Sequence, residues 1–192
     1  MILLDVPFAA QAPFGNWSDE RQQDGCEEAS ALMAMYWIQG KSLTPTIAER
    51  EILAISDWEQ KTYGRYHDTS AEDTNKRILQ GYFHYSKAEV RHNITLEDIK
   101  TELYKGNILI TPMNGKALGN PNFTGGGPDR HMLVIRGYDP SKKEIITNDP
   151  GTRNGKLYRY NENVFFSAIR DYATGYHEPI TGGKAMIVIK PS

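Results

Sequence analysis

The sequence predicts an α+β fold in which a helical half packs on an antiparallel sheet half. Helix-period patterns concentrate before residue 106, apolar strand-like runs follow it, and a turn at Asp139-Pro140-Ser141-Lys142 folds two of those runs into a hairpin.

In chain order, residues 2–8 read as a strand. Residues 27–39, EEASALMAMYWIQ, set Ala29, Leu32, Met33, Tyr36 and Trp37 at helical spacing with further apolar residues between them, so this helix is expected to be buried on most sides, with Gly40 ending it. Residues 45–59 and 70–79 read as helices, and 82–86 as a short strand. Thr95 is placed to cap a helix over 96–105, with Asp98 in its first turn and Gly106 at its end.

The sheet half begins with the apolar run 107–111, suited to a buried strand. Residues 130–138 and 143–149 form the hairpin, 156–160 and 185–190 add strands, and Asn161 caps a helix over 162–169. Residues 112–130, PMNGKALGNPNFTGGGPDR, make a long Gly- and Asn-rich loop running into His131. Its length suits the wall or lid of a cleft, against the alternative of a mobile surface loop.

Composition narrows the function classes. A chain of 192 residues without linkers or repeats predicts a single domain over 1–192. A net charge of −2 with mixed surface signs gives no basic patch for nucleic acid. The lone cysteine excludes an internal disulfide and any multi-cysteine metal site. Gly125-Gly126-Gly127 is followed by Pro128 and a strand where a phosphate loop needs a helix, so no nucleotide cofactor is expected. His67-Asp68 with Glu72-Asp73 reads as a polar loop and an acidic first helical turn rather than a metal cluster.

The N-terminus lacks the basic region and long apolar stretch of a signal peptide, and no segment is long enough to span a membrane. The expectation is a soluble chain, extracytoplasmic or at the cell surface only if a leader has been removed. Asn16-Trp17-Ser18, Asn93-Ile94-Thr95 and Asn122-Phe123-Thr124 match the glycosylation acceptor pattern, which recurs by chance.

Cys26 sits in Asp24-Gly25-Cys26-Glu27-Glu28, where a polar loop turns into the apolar helix. A thiol in a helix's first turn meets unpaired backbone N–H groups and the positive end of the dipole, which favour thiolate, the reactive form. Glu27 and Glu28 oppose this unless they point away, so a basic partner is required. A small buried hydrophobe is the bland alternative.

The hairpin supplies the partner. If its strands pair about Pro140 and Ser141, His131 falls within a position or two of being opposite Asp149. A carboxylate accepting the Nδ1 proton would fix the imidazole tautomer and leave the other nitrogen for the thiol. Asn148 points to the opposite face of an ideal strand, so either Asp149 or Asn148 serves, with Asp149 favoured.

Val6-Pro7-Phe8 with Gln11, then Gly25-Cys26-Glu27-Glu28-Ala29-Ser30, His131 leading a strand into Gly137-Tyr138-Asp139, and Asn148-Asp149-Pro150-Gly151 together resemble the papain-like cysteine peptidases related to bacteriocin-leader-processing peptidases. The resemblance covers about three quarters of the chain as ordered landmarks, with Cys-Glu-Glu in place of the commoner Cys-Gly-Pro. It implies a papain-like fold, Cys26 as nucleophile, His131 as base and then acid, and Asp149 as the orienting residue. It also implies Gln11 as oxyanion donor, with Gln22 and Gln23 nearer in sequence.

The implied activity is hydrolysis of a peptide or related amide through an acyl-enzyme on Cys26, with no cofactor. Acyl transfer from the same thioester to an amine, and a non-catalytic peptide-binding module, are the alternatives. Trp17, Trp37 and Trp58 read as core or cleft-wall residues, with substrate contact as the alternative for Trp17, which lies between Gln11 and Cys26.

Overall fold

A computed structural model describes residues 1–191 of the chain. Its elements are β1 (Ile2–Leu3), α1 (Glu20–Gln23), α2 (Cys26–Ile38), α3 (Pro45–Tyr63), α4 (Ala71–Asp73) running into a wide π-helical segment Thr74–Tyr82, β2 (Glu89–His92) and α5 (Leu96–Tyr104). The second half follows as β3 (Ile108–Met113), β4 (His131–Asp139), β5 (Glu144–Asn148), β6 (Lys156–Asn161), α6 (Glu162–Ala168) and β7 (Ala185–Ile189).

The strands build a seven-stranded antiparallel sheet in the order β2-β7-β3-β4-β5-β6, with β1 beside the far end of β4. Helices cover both of its faces. Met132, Val134, Ile108, Ile110 and Ile187 pack toward α2, α3 and the π-helical segment. The alternate residues Leu133, Ile135, Leu109, Met186 and Val188 pack toward α5 and α6. The α+β class is therefore as expected, with the sheet as a middle layer because both strand faces are apolar.

Local chemistry explains most element ends. Thr95 and Asp98 form the capping box of α5, Asn161 caps α6, and Thr44 with Pro45 opens α3. Gly64, left-handed at φ 77°, closes α3 past the predicted stop at residue 59.

Three expectations are corrected. The strand expected over 2–8 pairs only at Ile2–Leu3, because side chains take over its backbone groups: the Arg136 guanidinium donates to the Leu4 carbonyl, and Asn148 donates to those of Val6 and Pro7. Residues 82–86 are not a strand. Tyr82 ends the π-helical segment with its ring edge-on to Trp58 at 5.7 Å, and the strand comes later, at β2. The buried helix starts at Cys26 itself and ends at Ile38, one residue before the predicted end.

The hairpin forms as predicted, with one extra residue. A bulge between Ile135 and Gly137 shifts the β4–β5 register, so Val134 faces Asn148. At Gly137 a Cβ would lie 2.5 Å from the Ile2 carbonyl oxygen, so the close approach of β1 requires glycine there. Among the described residues no helix is long and apolar enough to cross a membrane.

Candidate active site

His131 opens β4 and Asp149 follows the last residue of β5, so the hairpin brings two residues eighteen apart into contact. His131 Nε2 and Asp149 Oδ1 are 2.7 Å apart, and both side chains are buried. The ring nitrogen on the carboxylate is Nε2, not the Nδ1 expected from sequence. Nδ1 makes no hydrogen bond among the described residues and is the nitrogen left for a thiol.

Asp149 is held on every side. Tyr160 donates to Oδ2 at 2.6 Å, the Gly151 N–H donates to Oδ1 at 3.0 Å, and Asn120 donates to the Tyr160 oxygen at 2.8 Å. Burial works against the Asp149 charge, but the neighbouring His131 and these donors outweigh it and hold the carboxyl below its usual range. Burial and the Asp149 charge push the Tyr160 hydroxyl far up, so it stays a donor.

Asn148 faces away from the imidazole. Its oxygen accepts from Arg136 and from the Leu157 N–H, and its nitrogen donates to Val6 and Pro7. Asp149 is thus the residue on His131, and Asn148 fastens the N-terminal segment to the sheet.

The loop before β4 folds over this pair. The Phe123 ring meets the His131 ring edge-on at 5.4 Å, and Asn120 reaches Tyr160 from the same loop. Gly151 fits where a Cβ would be 2.9 Å from His131 Cε1 and 3.0 Å from Phe123.

Cys26 is the first residue of α2 and is buried. Its thiol donates to Glu27 Oε2 at 3.0 Å, and no hydrogen bond joins it to His131 among the described residues. Tyr172 links the two sides: its hydroxyl lies 2.7 Å from Glu27 Oε1 and 3.3 Å from the His131 carbonyl oxygen. Ser30, a turn further along α2, donates to the Met132 carbonyl and fixes the helix against the start of β4.

Burial first, and then the Glu27 charge, push the Cys26 thiol well above its ordinary range. Burial likewise pushes Glu27 up to about 8. The opposing influence of Glu27 read from the sequence is present. The expected gain from the helix N-terminus does not overcome it in this arrangement.

Gln11 lies between the two halves of the site. Its backbone N–H donates to the Pro150 carbonyl, and its side-chain amide donates to the carbonyls of Gln22 at 3.0 Å and Gln23 at 2.7 Å. In this conformation the amide fastens the segment entering α2, and its own Oε1 is buried without a partner. The Gln22 side chain reaches Glu49 instead, and Gln23 is exposed.

Sequence reasoning missed Tyr160, Asn120, Tyr172 and Phe123, which carry no motif. The one available signal was the long loop that supplies Phe123 and Asn120. Among the described residues no group of three or more His, Cys, Asp or Glu is arranged to hold a metal ion.

The model of the Peptidase_C39 like family matches residues 3–179. No curated protein matches the chain. A crystal structure of a Bacillus anthracis protein, assigned provisionally as a C39-like peptidase, is similar at a TM-score of 0.59 and 15% identity, covering 100% of this chain and 98% of that one. That likeness establishes a shared fold. With nearly its whole length matched, the chain belongs to the Peptidase_C39-like family, a family of cysteine peptidases.

Proposed function

We propose that the chain, acting as one domain, is a thiol peptidase that cleaves a peptide or related amide through an acyl-enzyme on Cys26. The observation that carries this reading is the buried His131–Asp149 pair at 2.7 Å, with Nδ1 free, beside the helix that begins with the sole cysteine.

In this reading the sulfur leaves Glu27 for Nδ1. His131 takes the thiol proton as sulfur attacks the carbonyl, then gives it to the leaving amine, and water releases the acyl group. Asp149 holds the imidazole in the orientation that leaves Nδ1 for the sulfur. The backbone N–H of Cys26 is one oxyanion donor. Gln11 is the second if it turns one N–H from the Gln22 or Gln23 carbonyl, a role whose removal costs about 10²–10³ in kcat.

The test is cleavage of a mixed peptide library followed by mass spectrometry. Wild type should release products, while Cys26→Ala and His131→Ala should be folded and inactive; turnover retained by either variant would sink the assignment. Adding amines separates hydrolysis from acyl transfer, because only a transferase yields amide adducts.

The thiol's bond to Glu27 favours a second reading, a peptide-binding module with an unactivated cysteine. Under it, wild type would bind library peptides without cleaving them, and iodoacetamide would label Cys26 equally slowly with or without His131.

A further inference from the structure

Glu27, the second residue of α2, is buried, as are Cys26, Tyr172 and His131 around it. Among the described residues it enters no ion pair. The charged side chains that share its surroundings are Asp68 in the loop before α4, Glu28 on its own helix and Glu59 on α3, all acidic. Arg130 stands against Asp68 at 3.8 Å, Arg77 against Asp73 at 3.3 Å, and His131 gives its ring to Asp149, so none of these cationic groups is spent on Glu27. A carboxylate taken out of water without a cation is costly, and protonation removes that cost.

The hydrogen bonds fix a proton count as well. The Tyr172 hydroxyl lies 2.7 Å from Glu27 Oε1 and 3.3 Å from the His131 carbonyl oxygen, while the thiol donates to Glu27 Oε2 at 3.0 Å. A phenol carries a single proton, and burial keeps it there by pushing the Tyr172 hydroxyl well above its ordinary range. If Glu27 were a carboxylate, Tyr172 would spend that proton on Oε1, and its contact with the His131 carbonyl would set oxygen against oxygen. A proton on Oε1 closes the line. The thiol then donates to Oε2, Oε1 to Tyr172, and Tyr172 to the His131 carbonyl, with one donor for every contact.

We propose that Glu27 serves the reaction as a neutral carboxylic acid, tying the helix of the nucleophile to the backbone of the base through Tyr172 without placing a charge beside the sulfur. The role rests on the peptidase reading and adds a residue to it.

Burial, which raises the Glu27 carboxyl to about 8, agrees with the proton count. As the sulfur leaves Oε2 and hands its proton to His131, the Glu27 proton stays on Oε1 with Tyr172. No proton is gained or lost at Glu27 through the cycle. The sulfur, negative once it has lost its proton, faces an uncharged oxygen. Above about pH 8 Glu27 ionises, and its charge then opposes the thiolate and slows the reaction.

Glu27→Gln is the informative variant, because an amide offers the same pair as the neutral acid, one donor and one acceptor. Infrared difference spectra of wild type minus Glu27→Gln read the carboxyl directly. A protonated-carboxyl band should be present at about pH 6 and give way to a carboxylate band through about pH 8. The second measurement is kcat/KM on a peptide taken from a mixed library. The ratio of Glu27→Gln to wild type should climb about tenfold between about pH 7 and about pH 9, as required when one proton titrating near 8 must be in place; the ratio cancels every other titrating group.

A carboxylate band already complete at about pH 6 would overturn the neutral acid. So would a Glu27→Gln protein that fails to fold, since both oxygens would then be needed as acceptors. A ratio that stays flat with pH would overturn the role of Glu27 while leaving the peptidase reading standing. The carboxyl band as expected, with no library peptide cleaved by wild type, would uphold the neutral acid and remove the peptidase reading.

Discussion

The Cys26 thiol donates to its own neighbour Glu27, at 3.0 Å, and not to His131. Glu27 is in turn held by Tyr172, whose hydroxyl also reaches the His131 carbonyl oxygen. The arrangement keeps sulfur protonated and places the carboxylate where it opposes thiolate formation.

Replacing Glu27 by Gln keeps an acceptor for Tyr172 and removes the charge. Without that negative neighbour the thiol pKa falls. Iodoacetamide labelling of Cys26, followed by intact mass, should then reach a given rate at lower pH than in wild type. An unchanged labelling profile would show that burial alone sets the thiol.

Tyr160→Phe removes the 2.6 Å bond to Asp149 Oδ2. A buried carboxylate losing one donor costs about 1–3 kcal/mol of stability. Its pKa also rises, so the acid limb of any peptidase pH profile should move upward. Urea denaturation checks the first effect and kcat/KM against pH the second.

Gly151→Ala places a methyl 2.9 Å from His131 Cε1 and 3.0 Å from Phe123. Overpacking of this kind costs about 1–3 kcal/mol. Because the imidazole itself must give way, activity should fall more than stability does. Gly137→Ala, which meets the Ile2 carbonyl far from the imidazole, should lower the melting temperature while any peptidase activity of the folded fraction persists.

Stability should decline as pH rises toward 8. Glu28 and Glu59 adjoin each other where α2 meets α3, and both carboxyls are raised, first by burial and then by a negative neighbour, Glu59 for Glu28 and Glu27 for Glu59, which rises to about 8. The native state therefore holds protons that the unfolded chain gives up above about pH 4.3. The Glu59 contribution is full below that pH and is lost as pH climbs through about 8, by at most about 1.4 kcal/mol per pH unit for its proton. Glu59→Gln should flatten the dependence of melting temperature on pH across this window.

The sequence alone determined the features governed by local chemistry. Thr95 with Asp98, and Asn161, announced their helices through capping oxygens, and Gly106 followed α5 as predicted. Pro140 and Ser141 between two apolar runs announced the hairpin, and hairpin geometry alone brings His131 to Asp149. Strand alternation allowed only one of Asp149 and Asn148 to serve, and the contact with His131 falls to Asp149, the residue favoured from sequence.

What tertiary structure decided lies in contacts between distant segments. Residues 82–86 carry strand-forming aromatics, yet Tyr82 packs on Trp58 of α3 and ends a helix instead. No spacing rule links Tyr160 to Asp149 or Tyr172 to Glu27, since those pairs meet only when the sheet and α2 are assembled. The resting partner of Cys26 belongs to the same class. A helix N-terminus favours thiolate wherever it occurs, but burial and an adjacent carboxylate outweigh it here, and their strength depends on how completely the fold excludes water.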